Sequence, residues 1–199
     1  MVINSGTGNI TYQRTIGMSV MEGKGFYYPA DSAFGPDGRI YVLNRSLELA
    51  GRGRGMRVAV CDPSDNYHGE WGEFGDGPGQ FMWPSAICVT PDARVIIADE
   101  HLNKIMVFTT EGGFIEEWGT IGSGEGFLDT PSGLVLNDDD ELFVSDTYNH
   151  RVQVFSTSGV FLRSFGENEG LDMPWRLSIG ADRKVYLADW GNDRICVYT

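Results

Sequence analysis

At 199 residues the chain is long enough for one domain with a real core, and its 41% hydrophobic and 12% aromatic content, with 27 glycines and 8 prolines, places it among folded globular proteins. Fifteen Lys and Arg against 28 Asp and Glu leave a formal charge of −13, a field that repels phosphate backbones and anionic lipid, so neither nucleic acid nor a membrane surface is expected as a partner. The N-terminal MVINSGTGNITY has no basic n-region and no apolar h-region, and no window approaches the ~18 apolar residues of a membrane span. Cys61, Cys88 and Cys196 each lie in a β-branched apolar run, where a free thiol behaves as a small core hydrophobe, so no disulfide framework is implied. The expectation is a soluble protein, cytoplasmic by default.

The first patterned segment, about 10–17, contains YQRTIG and reads as a lone strand. Four copies of one grammar follow, at about 23–73, 77–119, 123–166 and 169–199. Each is anchored on a proline (Pro29, Pro84, Pro131, Pro174), with an aspartate eight residues later (Asp37, Asp92, Asp139, Asp182) and Asn44, Asp99, Asp146 or Asp189 fifteen residues later. A basic residue then opens a strand-like run: RVAVC from Arg57, KIMVF from Lys104, RVQVF from Arg151 and RICVY from Arg194. In the first copy that run is delayed by the insertion RSLELAGRGRGMR (45 to 57).

Within a copy, apolar or alternating runs of four to six residues are separated by Asp, Asn and Gly turn signals, which predicts four short strands and no sustained helix. In the third copy the strands are expected at about 133–137, 141–145, 151–156 and 160–165. Spacings of 55, 47 and 43 residues between the prolines fit the blades of a β-propeller. The predicted fold is all-β: one propeller domain over 1–199, with four four-stranded antiparallel blades. The last copy stops after its third strand, and YQRTIG matches the outer-strand sequence FLRSFG (161 to 166). The N-terminal strand is therefore expected to complete the last blade, in a small closed ring or a partial arc of a six-bladed one; an arc leaves open edges that invite self-association.

The third copy, with GEGF, PSGL, DDELFVSD, NHRVQVF and GVFL, resembles the NHL repeat, and the resemblance extends over nearly the whole chain. It implies a propeller, usually of six blades, and a range of roles that runs from scaffolds and sensor domains to some enzymes.

Several chemical motifs dissolve once they are placed in repeat columns. S-D-T-Y-N-H-R (145 to 151) gathers a carboxylate, a phenol, an imidazole and a guanidinium, but Asp146 and Arg151 recur as Asp99 with Lys104 and as Asp189 with Arg194. Residues repeated in every blade build the blade; the carboxylate is expected to accept N–H groups of the following turn and to pair with the cation that starts the next strand. GTIGSGEG (119 to 126) is a blade connection with no helix after it, and NDDDE (137 to 141) is a hairpin turn rather than a calcium loop. His68, His101 and His150 show no zinc spacing, and there is no G-x-S-x-G elbow.

Function is therefore sought where the repeat is broken, on the loop face and channel mouth. Candidate ligand-binding residues are Asp31 and Arg176 beside the axis, Arg52, Arg54 and Arg57 of the insertion, Trp83 and Trp175 next to the prolines, and His101, Tyr148, His150 and Trp190 on the turns. Asp31 and Arg176 are expected to pair if the first and fourth blades are neighbours. These residues suit a non-catalytic binding or scaffold module for a protein, peptide or small acidic or aromatic ligand, with no catalytic residue and no cofactor, a calcium or zinc ion in the channel being left open. The alternatives are a metal-dependent lyase or hydrolase on the same fold, amidating-lyase-like or lactonase-like, and a sensor domain of a larger protein.

Overall fold

The computed structural model describes residues 12–17, 25–45 and 55–199. Each proline-anchored copy folds into one antiparallel sheet whose strands follow chain order. Blade 1 comprises β1 (Pro29–Phe34), β2 (Ile40–Asn44), β3 (Arg57–Cys61) and β4 (Tyr67–Trp71), and blade 2 comprises β5 (Pro84–Val89), β6 (Arg94–Asp99), β7 (Lys104–Thr109) and β8 (Phe114–Trp118). Blade 3 is β9 (Pro131–Leu136), β10 (Glu141–Asp146), β11 (Arg151–Ser156) and β12 (Phe161–Phe165); blade 4 is β13 (Pro174–Ile179), β14 (Val185–Asp189) and β15 (Arg194–Tyr198). The blades succeed one another in a ring, a four-blade β-propeller in which β1, β5, β9 and β13 pack side by side nearest the axis.

One expectation is corrected. Among the described residues blade 4 has three strands, and 12–17 form none. That segment instead lies against blade 1, where Arg14 donates to the Pro63 carbonyl (2.9 Å) and the Gly17 N–H to Asp65 Oδ1 (3.0 Å). Among the described residues β15 pairs with β14 alone.

Alternation along the strands gives each blade two apolar faces, and the core lies between blades. Tyr41, Leu43, Val58 and Val60 of blade 1 meet Ile87, Ile97, Met106 and Phe108 of blade 2; Ile96, Ile105 and Val107 meet Leu134, Leu142 and Val144; Phe143, Val152 and Val154 meet Val185 and Leu187. Each such side chain contributes about 1.5–3 kcal/mol on leaving water. The four hairpin turns between first and second strands place Gly38, Ala93, Asp140 and Arg183 in the left-handed region, at φ 77, 65, 59 and 61°.

The repeated Asn or Asp at the end of each second strand is a clamp. Its carboxyl or amide oxygen accepts the N–H of Tyr27, Met82, Asp129 or Asp172, so it ties the blade to the incoming connection two residues before the proline. Asp146 is the fullest case: it also accepts from Asn149, from Arg151 Nε (2.8 Å) and from Gln153 Nε2 (2.8 Å). Among the described residues the clamp accepts backbone N–H groups of the following turn in blade 2, from His101 and Leu102 (both 3.0 Å), whereas in blades 3 and 4 it takes the side-chain amides of Asn149 and Asn192 on that turn. The expected cation pairing holds for Asp146 with Arg151 and Asp189 with Arg194, whereas Lys104 turns to Glu117 and Arg57 to Glu70 on neighbouring outer strands. Burial pushes the Asp146 carboxyl above the usual range against the pull of its donors. Asp189 is also penalised by burial, but bonds from Asn192, Asp172 and Arg194 outweigh that cost and hold it below the usual range.

Candidate functional site at the channel mouth

The connections into the first strands and the turns after the second strands emerge together, and they surround a depression of about 650 Å³. All four blades line it: Tyr28, Ala30 and Arg45 from blade 1, Trp83, Ser85 and Glu100 from blade 2, Ser132 from blade 3, and Trp175 and Arg176 from blade 4. The backbone fixes these side chains by one device in the first two blades. The residue after the clamp donates its N–H to the carbonyl before the proline, Arg45 to Tyr28 (3.0 Å) and Glu100 to Trp83 (3.1 Å).

Two charged pairs cross between blades at the mouth. Arg45 donates to Glu100 Oε1 (2.9 Å) while its guanidinium lies 4.6 Å from the centroid of the Trp83 ring, so one cation is held by a carboxylate and an aromatic face together. The other carboxylate oxygen of Glu100 is buried without a hydrogen-bond partner among the described residues, and burial raises the carboxyl despite Arg45 beside it. Across the mouth, Arg176 donates to Asp31 Oδ2 (3.3 Å) and to the Ala30 carbonyl (3.2 Å), the pairing expected of neighbouring first and fourth blades. Asp31 Oδ2 also accepts the Ile87 N–H (3.0 Å), which anchors that carboxylate on the inner strand of blade 2.

Small residues complete the wall. Ser132 Oγ donates to the Trp175 carbonyl (3.1 Å), and a Cβ on Gly133 would collide with that same oxygen, so glycine here lets the inner strands of blades 3 and 4 approach. Trp175 in turn lies 5.8 Å, centroid to centroid, from Trp190.

The structure thus brings Asp31, Trp83, Trp175 and Arg176 together, with Trp190 behind Trp175. His101, Tyr148 and His150 sit on the turns of blades 2 and 3, outside the set that lines the depression. His150 Nδ1 accepts the Met173 N–H (3.2 Å) beside Asp172, a contact between blades. Arg57 departs from the expected placement: it is buried on β3 against Glu70 because it is the repeat's own strand-opening cation. Arg52 and Arg54 lie outside the described residues.

Sequence reasoning missed Arg45, Glu100 and Tyr28. A signal existed, since the column after the clamp reads Arg45, Glu100, Thr147 and Trp190, four different chemistries at one position of the repeat. Chemically, the mouth offers aromatic faces, two tethered cations and a half-satisfied carboxylate. Among the described residues no three His, Cys, Asp or Glu side chains are grouped to hold a metal ion, and the Cys88 thiol is pushed up to about 12, chiefly by burial.

Residues 128–155 match the NHL repeat. A stretch of 48 residues is 42% identical to the B-box type zinc finger protein ncl-1 of Caenorhabditis elegans, covering 24% of this chain and 6% of that protein. Among solved structures, the chain is similar to a catalytically inactive virginiamycin B lyase from Staphylococcus aureus with quinupristin (15% identity, TM-score 0.63, 86% of this chain and 52% of that one). It is also similar to a structure of the nidogen/laminin complex (16% identity, TM-score 0.65, 86% of this chain and 59% of that one). At such identities the likeness is one of fold, and the chain spans little more than half of those structures and a small part of the curated relative. The third blade thus carries a matched NHL repeat, and the chain as a whole is a four-blade β-propeller.

Proposed function

We propose that this propeller is a non-catalytic binding module whose channel mouth takes a segment of a protein or peptide. The observation that carries the reading is the pairing of half-buried tryptophan faces with Glu100, whose second carboxylate oxygen is buried and unpartnered among the described residues, beside Arg45 and Trp83. Such a site gains from an added donor, because a buried acceptor without a hydrogen bond costs about 1–3 kcal/mol. A Lys or Arg side chain carried by the partner supplies both the donor and a cation for the tryptophan faces, and the formal charge of −13 steers basic segments toward the molecule.

Calorimetric titration of short peptides with a central Lys or Arg tests this. Glu100→Gln and Trp83→Ala are expected to weaken binding at least tenfold, about 1.4 kcal/mol each. Equal binding by the native chain and both variants overturns the reading. Metal-dependent turnover of lactone or phosphoester substrates by the purified chain replaces it with the lyase or hydrolase alternative.

A further inference from the structure

Glu100 and Trp83 form one unit of blade 2. The Asp99 carboxylate accepts the Met82 and Trp83 N–H groups (both 2.8 Å), and Glu100 gives its own N–H to the Trp83 carbonyl (3.1 Å). The residues that carry the carboxylate and the indole are thus tied together by backbone bonds within blade 2. Side by side they make a cradle for a cation, an acceptor next to an aromatic face.

That cradle already holds a cation of the chain itself. Arg45 reaches it from blade 1, with Nη1 on Glu100 Oε1 (2.9 Å) and its guanidinium carbon 4.6 Å from the centroid of the Trp83 ring. The fit is incomplete. Among the described residues Arg45 engages one carboxylate oxygen, and the other, buried, accepts nothing. Burial also raises the Glu100 carboxyl despite the cation beside it, so the cradle is short of positive charge as it stands. A guanidinium met head-on gives both oxygens a parallel N–H, an arrangement for which an ammonium lacks the planar fork. Nor is Arg45 built in as a structural arginine is. Arg151 is 5% exposed and donates to Asp146, Glu167 and the carbonyls of Gly124 and Phe127, whereas the Arg45 side chain is 26% exposed beside an open depression and holds Glu100 alone among the described residues.

We propose that Arg45 is an internal stand-in for an arginine side chain of the partner, and that binding exchanges one guanidinium for the other on Glu100 and Trp83. This rests on the binding reading above and narrows it: the recognised residue is arginine rather than lysine, and the chain carries its own competitor for the site. Arg45 is tethered beside the cradle, so it competes at the high local concentration of an intramolecular group and holds down the affinity of the native mouth. The incoming side chain gains what Arg45 forgoes, the second bond to Glu100.

The test titrates glycine-flanked peptides with a central Arg or a central Lys into the native chain, Arg45→Ala and Arg45→Gln, the last of which keeps an uncharged donor near Glu100. Melting curves first establish that each variant is folded. The Arg peptide is expected to bind both variants about tenfold or more tighter than it binds the native chain, and about tenfold tighter than the Lys peptide binds them. In the native chain, saturation with the Arg peptide should move the Arg45 Nε–Hε resonance to the position of a solvated guanidinium. Folded Arg45 variants that bind the Arg peptide no better than the native chain overturn the proposal, because Arg45 is then part of the site and not its competitor. An Arg45 resonance unmoved at saturation overturns it without recourse to any variant, and equal binding of the Lys peptide overturns the choice of guanidinium. All three results leave the binding reading standing. That reading fails separately, and this proposal with it, when neither peptide binds the native chain or the folded variants.

Discussion

Alanine at Asp146 and at Asp189 makes the same change in one repeat column at two depths. Asp146 is held in blade 3 by five donor contacts, and its partner Arg151 is only 5% exposed. Removing the carboxylate leaves a buried guanidinium short of its main counter-charge, together with the unmatched N–H of Asp129 and the amide of Gln153, a loss of about 3–5 kcal/mol. Asp189 clamps the Asp172 N–H (2.7 Å) in the same way, but Arg194 is 46% exposed and can take water in its place. The cost there is about 1–2 kcal/mol, that of a few partly solvated hydrogen bonds. For a domain of this length each kcal/mol moves the melting temperature by about 2–4 °C, so Asp146→Ala should fall by about 6–20 °C and Asp189→Ala by about 2–8 °C. Scanning calorimetry with near-UV circular dichroism measures both. A variant at Asp189 that loses as much as the one at Asp146 would refute the argument that burial of the partner sets the strength of each clamp.

Two further outcomes follow from single positions. The Asp189 carboxyl is held below its ordinary value, so its stabilisation is complete above about pH 4 and is lost as the pH falls through the lowered folded value; the gap in urea midpoint between the native chain and Asp189→Asn should close on acidification, and a gap constant from about pH 6 to about pH 2 contradicts it. Ala93 is exposed and sits at φ 65°, where a Cβ is strained, so Ala93→Gly should raise stability by about 0.5–1 kcal/mol and the melting temperature by about 1–4 °C, a drop being the adverse result.

Much of the molecule was legible because repetition lets a chain be compared with itself. The strand positions expected for the third copy differ from β9 to β12 by one or two residues at their ends, and the Asp31 to Arg176 pair followed from counting blades. The columns also gave the correct architectural role to Asp146 and Arg151. What pattern could not supply was choice among equivalent partners: Lys104 had Asp99 nearby in sequence yet turns to Glu117, because Asp99 already accepts four backbone N–H groups, from Met82, Trp83, His101 and Leu102. Arg45 and Glu100 escaped notice for a related reason. Each looks ordinary in its own blade, and only the curvature of the ring brings them to one tryptophan. The segment 12–17 resembles an outer strand by its residues, but a matching sequence does not by itself form a ladder, and among the described residues it pairs with no strand.

Asn44 gives the first blade a clamp of another kind. Its amide oxygen accepts the Tyr27 N–H (2.8 Å) as the aspartates do for their connections, but its Nδ2 donates to the carbonyls of Val42 (2.9 Å) and Arg57 (3.4 Å), so the group is balanced without a charge, and the Arg57 guanidinium goes to Glu70. The latch of the first blade therefore carries no group that acid can neutralise. Acid reaches the raised Asp146 before the lowered Asp189, and the blade that carries Arg45 and Tyr28 keeps its fastening to the mouth while those two let go.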